Sequence, residues 1–194
     1  MTKKGRKAMG GLAAAVLGAA CTLPHAAVLD DLRDTSAWRA AGSDQVSARL
    51  RRDTDGSLCL DYDFNAVSGY AVMRRALPVE WPAHFDLVVR LKGRGAVNDL
   101  QVKFVDASGD NVWWVNRPNA EPPAVLTDLR IRRRHVDFAW GPITDRTLRR
   151  TQDVEFVIAA GREGGRGSLC VARITLNERA PDPATWPEAR ARSA

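Results

Sequence analysis

The side chains of this chain best suited to chemistry are flat aromatics set beside planar polar groups. There are six tryptophans and two tyrosines. An indole plane stacks on the C–H face of a ring-shaped ligand such as a sugar, while amides, carboxylates and guanidinium groups around it hydrogen-bond the hydroxyls. Residues 97–118, VNDLQVKFVDASGDNVWWVNRP, concentrate that combination. Read as two strands and a turn, they place Trp113 on one face with Asp99, Gln101 and Lys103, and Trp114 on the opposite, apolar face. Arg132, Trp140 and Tyr70 are further ligand-facing residues of the same kind from neighbouring runs. The alternative for Trp113 is structural, packing beneath a loop.

Patterns that would carry catalysis are weaker. His84 and His135 stand in no motif, and no G-x-S-x-G elbow exists. Asp61, Asp63 and Glu155 would serve as the carboxylates of a glycosidase only if the fold made them converge. The run GREGGRG at 161–167 has the glycines of a phosphate loop but matches neither G-x-x-x-x-G-K-S/T nor G-x-G-x-x-G, and reads as a flexible hairpin loop. RIRRR at 130–134 looks like a nucleic-acid patch, yet in a strand its charges divide between two faces. No residue is given a catalytic role, and the chain is read as a non-enzyme. Cys/His metal spacings are absent. Cys59 and Cys170 sit in the same local sequence, Gly-Ser-Leu-Cys; they form a disulfide or remain two buried thiols.

The elements that must position these residues are short strands. Leu58, Leu60, Tyr62 and Phe64 alternate with Cys59, Asp61 and Asp63, a period-two pattern. Tyr70 to Leu77 alternates likewise, residues 85–91 are nearly continuously apolar, and residues 154–160 and 170–176 read as later strands. In the hairpin, Asp106 and Gly109 suit a type I turn with glycine in the left-handed position, a three-residue loop that sets Asp106 opposite Asp110. A one-residue slip would exchange the faces of Trp113 and Trp114. Pro78 to Pro82 is expected as a loop and residues 145–152 as one helical turn capped by Asp145. About ten strands with regular turn signals and almost no helix predict an all-β fold, an antiparallel β-sandwich of the jelly-roll kind.

Residues 1–27 read as a secretory signal peptide. Lys3, Lys4, Arg6 and Lys7 precede an apolar stretch at 9–23, and small residues follow near Ala26 and Ala27. That stretch is too short and too weakly apolar for a membrane span. The other reading is a lipoprotein leader acylated at Cys21. Either one exports the chain: the first makes it periplasmic or secreted, the second anchors it through lipid on Cys21. Removing the four leader cations from 29 basic and 23 acidic residues takes the net charge from +6 to +2, so the composition gives no support to a nucleic-acid partner. The domain is expected over 28–176, with a Pro/Ala/Arg-rich tail or linker over 177–194.

The order of the segments resembles a known family. DDLRDTSAW is followed by LDYDF, YAVMRRAL, FDLVVRLKG, the hairpin FVDASGDNVWW, VEFVIAAG and the closing GSLCVARITL. This is similar to the galactose-binding-like jelly roll of carbohydrate-binding modules, most nearly family 11, over residues 28–176. The resemblance implies a sandwich that binds poly- or oligosaccharide without catalysis, often joined to a glycoside-active protein. It also implies one structural calcium where the first and last strands meet. The family's closing I-D-D-I is Val171-Ala172-Arg173-Ile174 here, with no acid, which leaves Asp30, Asp31 and Glu178 as oxygen donors. No other cofactor is expected. The competing function is a protein-interaction jelly roll without sugar affinity, because one fold serves both uses.

Overall fold

The computed structural model describes residues 26–181. Cys21 and most of the expected leader lie outside the described residues, as does the tail from residue 182 onward, with Trp186. The described chain forms twelve strands: β1 (Ala26–Asp30), β2 (Arg39–Gly42), β3 (Ser47–Arg52), β4 (Leu58–Asp63), β5 (Tyr70–Glu80), β6 (Phe85–Gly95), β7 (Asn98–Val105), β8 (Val112–Ala120), β9 (Thr127–Arg132), β10 (Asp137–Trp140), β11 (Arg150–Ala159) and β12 (Arg166–Glu178). They make two antiparallel sheets. One runs β3-β4-β12-β6-β9, with β1 pairing β12 beyond the end of β4; the other runs β10-β8-β7-β11-β5-β2. This is the sandwich that the alternating segments predict.

Alternation explains the layers. In β4, Leu58, Leu60 and Tyr62 enter the core while Cys59, Asp61 and Asp63 point out. From the other sheet, Met73, Val102, Phe104, Val154 and Phe156 meet them. Trp38 is buried among these, beside Phe156, which pins the start of the domain. Trp81 is buried too, and its indole N–H donates to the Thr151 hydroxyl, so its polar edge is satisfied inside the core. Cys59 and Cys170 lie directly opposite each other on β4 and β12 and are joined as a disulfide.

Several local expectations are corrected. The strand β5 continues through Pro78 to Glu80 instead of ending in a loop. Its neighbour β2 stops opposite Arg74, and the pairing with β11 shifts register between Thr151 and Asp153, so no ladder hydrogen bond is required of the proline. Residues 145–149 form no helical turn. The Asp145 carboxylate accepts from the Thr147 N–H and pairs with Arg149, a local turn that competes with helix. The glycine-rich run at 161–167 is not a hairpin loop: it crosses from β11 in one sheet to β12 in the other. Gly164 and Gly165 take left-handed angles there, φ +53° and +75°.

The central hairpin differs in register by one residue. The type I turn forms as read, with the Gly109 N–H donating to the Asp106 carbonyl and Gly109 at φ +82°. Asp110 then joins the loop, and Asp106 closes against Asn111. Asn111 decides this, because its amide donates to the Asp106 carboxylate at 2.7 Å and its carbonyl oxygen accepts the Ile143 N–H. Phe104 therefore faces Trp113, and Lys103 faces Trp114.

Candidate functional site

The one-residue shift rebuilds the predicted site. Trp113 is 2% exposed. It packs edge-on against Phe138, and its indole N–H donates to the Arg146 carbonyl at 2.7 Å. It is a core residue, and the expectation that it faces ligand is overturned by the register. Trp114, expected in the core, stands on the outer face of the sheet opposite Lys103.

Directly opposite residues share a face, so the outer face can be followed row by row. One row holds Arg74, Glu155, Lys103, Trp114 and Asp137, from β5, β11, β7, β8 and β10. The next holds Val72, Val157, Gln101 and Asn116, and a third holds Tyr70, Ala159 and Asp99. Trp140, opposite Val112 at the rim, is 47% exposed. Its ring lies 5.9 Å from that of Trp114 at 80°, so the two indoles form a corner. The Lys103 ammonium sits 5.1 Å above the Trp140 ring, a cation–π contact that holds both side chains. Five expected site residues, Tyr70, Asp99, Gln101, Lys103 and Trp140, are thus brought onto one face. Trp114, Glu155 and Arg74 join them without having been singled out for it.

The electrostatics of the central row follow from partial burial. Burial pushes the Glu155 carboxyl above its ordinary range, while the Lys103 and Arg74 charges pull it back. Burial likewise lowers the Lys103 ammonium, with Glu155 opposing. Arg74 approaches Glu155 to 3.9 Å. The row presents an acceptor flanked by donors, beside an aromatic corner. Such a surface can hold hydroxyls by hydrogen bonds and ring faces by stacking.

Arg132 is not part of it. It ends β9 in the other sheet, with its Nε 3.2 Å from the Asp86 carboxylate. That is a correction of sheet membership: alternation tells which side of a strand a residue faces but not which sheet the strand joins. The carboxylates of the hydrolase reading also separate. Asp61 and Asp63 point outward from β4 in one sheet, and Glu155 points outward from β11 in the other, so they lie on opposite faces of the sandwich.

The oxygen donors implied for a structural calcium do not fit a cation. Asp30 is buried, and its carboxylate is taken by the Leu32 N–H, by the Trp38 indole N–H at 3.1 Å and by the Arg75 guanidinium at 2.6 Å. A second cation there would meet the guanidinium. Asp31 instead pairs with Arg33, and Glu178 is exposed at the end of β12. Among the described residues, Asp53, Cys59 and Cys170 approach one another at ligand spacing, but both sulfurs are consumed by the disulfide.

No protein-family profile and no curated protein sequence matches this chain. Solved structures do. The family 11 carbohydrate-binding module of the cellulosomal cellulase Lic26A-Cel5E of Clostridium thermocellum superposes with a TM-score of 0.62 at 15% identity, over 84% of this chain and 99% of that one. A family 11 module of the same organism, in complex with a β-1,3-1,4-mixed-linked tetrasaccharide, gives 0.62 at 17% identity, over 81% and 98%. A xylan-binding module, CBM15, gives 0.50 at 18% identity, over 82% and 99%. An exo-β-agarase matches at 0.55 and 11% identity but over only 25% of its own chain. The chain therefore has the jelly-roll fold of these carbohydrate-binding modules, and the neighbours matched along their whole length are binding modules rather than whole enzymes.

Proposed function

We infer that this protein is an exported, non-catalytic carbohydrate-binding domain that holds a poly- or oligosaccharide on the outer face of the β10-β8-β7-β11-β5-β2 sheet. The observation that carries this reading is the corner of Trp114 and Trp140 beside the partly buried Lys103 and Glu155 and the exposed Arg74. In it, Trp140 stacks on a sugar ring. Lys103 and Arg74 donate to hydroxyl oxygens, Glu155 accepts from hydroxyls, and Gln101 and Asp99 extend the polar surface toward Tyr70. An oxidising compartment supports the disulfide, in keeping with export. The domain fits the role of one module in a glycoside-active assembly.

The test is tryptophan fluorescence of the purified protein, titrated with mixed-linked β-glucan, xylan and agar oligosaccharides. Removing a central aromatic anchor costs about 2 kcal/mol or more, roughly 30-fold in affinity. Trp140→Ala is expected to lose about that much while melting like the wild type. Trp113→Ala is expected instead to lose about 3–5 kcal/mol of stability, because it empties a core site. Binding that survives Trp140→Ala, or a folded protein silent to every sugar, would move the reading to a protein-interaction domain.

A further inference from the structure

The opposite face of the sandwich carries a different chemistry. On the outer side of β3-β4-β12-β6, a recess of about 840 Å³ is rimmed by Arg49, Asp61, Asp63, Arg94 and Arg166. Its acids are largely spoken for. Asp61 receives Arg51 through two nitrogens, at 2.9 and 3.2 Å, with Arg49 at 3.6 Å, and Asp63 accepts the Asn65 N–H. Arg94 and Arg166 are exposed, and among the described residues no carboxylate lies within salt-bridge distance of either. They are diagonal neighbours on paired strands, because Ser168 faces Arg94. That puts their side-chain roots roughly 7–8 Å apart, close enough for both guanidinium groups to reach one ligand.

The recess does not stand alone. A second hollow of about 280 Å³ shares Arg94 with it. A third, of about 480 Å³, lies further along β12 and is lined by Arg173, Arg90 and Asp128; Asp128 pairs with Arg90 at 3.2 Å, and among the described residues Arg173 has no carboxylate within salt-bridge distance. Seven residues of strand separate Arg166 from Arg173, roughly 20 Å. The face is therefore a line of hollows with uncompensated cations at both ends. A small anion could occupy one hollow; only an extended polyanion spans the line. Guanidinium forks match carboxylates in two-point geometry. Single-stranded nucleic acid would want aromatic platforms for its bases, and among the described residues the large exposed aromatics, Tyr70 and Trp140, are both on the other sheet.

We propose that this face is a second binding site, for a stretch of carboxylate-bearing polysaccharide of the polyuronate type, held by Arg94 and Arg166 at one end and Arg173 at the other. It is independent of the aromatic face and of any neutral sugar bound there.

The test is calorimetric titration of the purified protein with hexagalacturonate, its methyl ester, and a single-stranded oligonucleotide of matched charge. The acid form is expected to bind saturably and to weaken as salt is raised. The ester and the oligonucleotide are expected to bind at least tenfold more weakly. The double variant Arg94→Gln/Arg166→Gln should lose about tenfold for the acid form with an unchanged melting temperature, and Arg173→Gln should show a smaller loss. Trp140→Ala should bind the uronate normally even where it has lost a neutral sugar. The proposal is overturned if folded wild type ignores hexagalacturonate, if the ester or oligonucleotide binds equally well, if the arginine variants bind normally, or if Trp140→Ala abolishes uronate binding.

Discussion

At the scale of single residues, the central observation is a carboxylate that the fold makes uncomfortable. Glu155 is half-buried, and burial raises its carboxyl above the ordinary range despite Lys103 and Arg74 beside it. An acid held higher in the folded than in the unfolded chain binds more protons when folded. Its contribution to stability is then complete below the unfolded value and is lost as pH rises through the folded one. Glu155→Gln is expected to melt above the wild type at neutral pH, with the gap closing as pH falls into the carboxylate range. A gap that does not change with pH would show that the desolvated charge of Glu155 is not what costs stability. Such local strain is common where a surface is shaped for a ligand. The same row shows how much of the site can be read one residue at a time. Tyr70, Asp99, Gln101 and Lys103 fall on the expected face because each sits in an alternating run. Trp113 and Trp114 do not, because Val112-Trp113-Trp114-Val115 is apolar at every position and offers alternation no purchase.

At the scale of elements, two cross-links determine how strands stay in register. The first is Asn111, which ties the hairpin to Asp106 and to Ile143. The second is the disulfide between β4 and β12, which closes a loop of 111 residues in sequence. Opposed cysteines on adjacent strands hold a pairing that the leucines on either side would otherwise hold alone. Replacing both with alanine is expected to cost about 2–5 kcal/mol in urea unfolding, and reducing agent should lower the wild-type melting temperature in the same direction. If reduction leaves the melting curve unmoved, the apolar pairing suffices. Above the disulfide, Lys92 reaches both Asp53 and Asp55 at 2.7 Å, which holds their carboxyls below the usual range and compensates the cation in the middle of the basic face.

At the scale of the molecule, the buried pair of Asp30 and Arg75 joins the two sheets. Asp30 ends β1, which belongs to one sheet, and Arg75 lies in β5 of the other. The indole N–H of Trp38 completes the carboxylate's shell. A guanidinium thus stands against the carboxylate that the family resemblance offers to calcium. Added chelator is accordingly expected to leave the melting temperature unchanged. Arg75→Ala should cost about 3–5 kcal/mol, because it strands a buried carboxylate. A chelator-dependent melting temperature would refute this account. The two outer faces also differ as wholes: aromatic with balanced charges on one sheet, rich in arginine on the other.

Much of this architecture is legible in the sequence alone. Period-two alternation, turn residues and the lack of helical periodicity specify a β-sandwich, and Trp38 declares itself as core near the start of the domain. The two Gly-Ser-Leu-Cys segments announce that the cysteines occupy equivalent places, though not that they are bonded. The tertiary structure alone decided which tryptophan stands on the outer face, because that depends on Asn111 finding Asp106 and Ile143. It alone decided that Arg132, Asp61 and Asp63 lie across the sandwich from Lys103 and Glu155. A strand's pattern records which side is buried; its neighbours are chosen by contacts from distant parts of the chain.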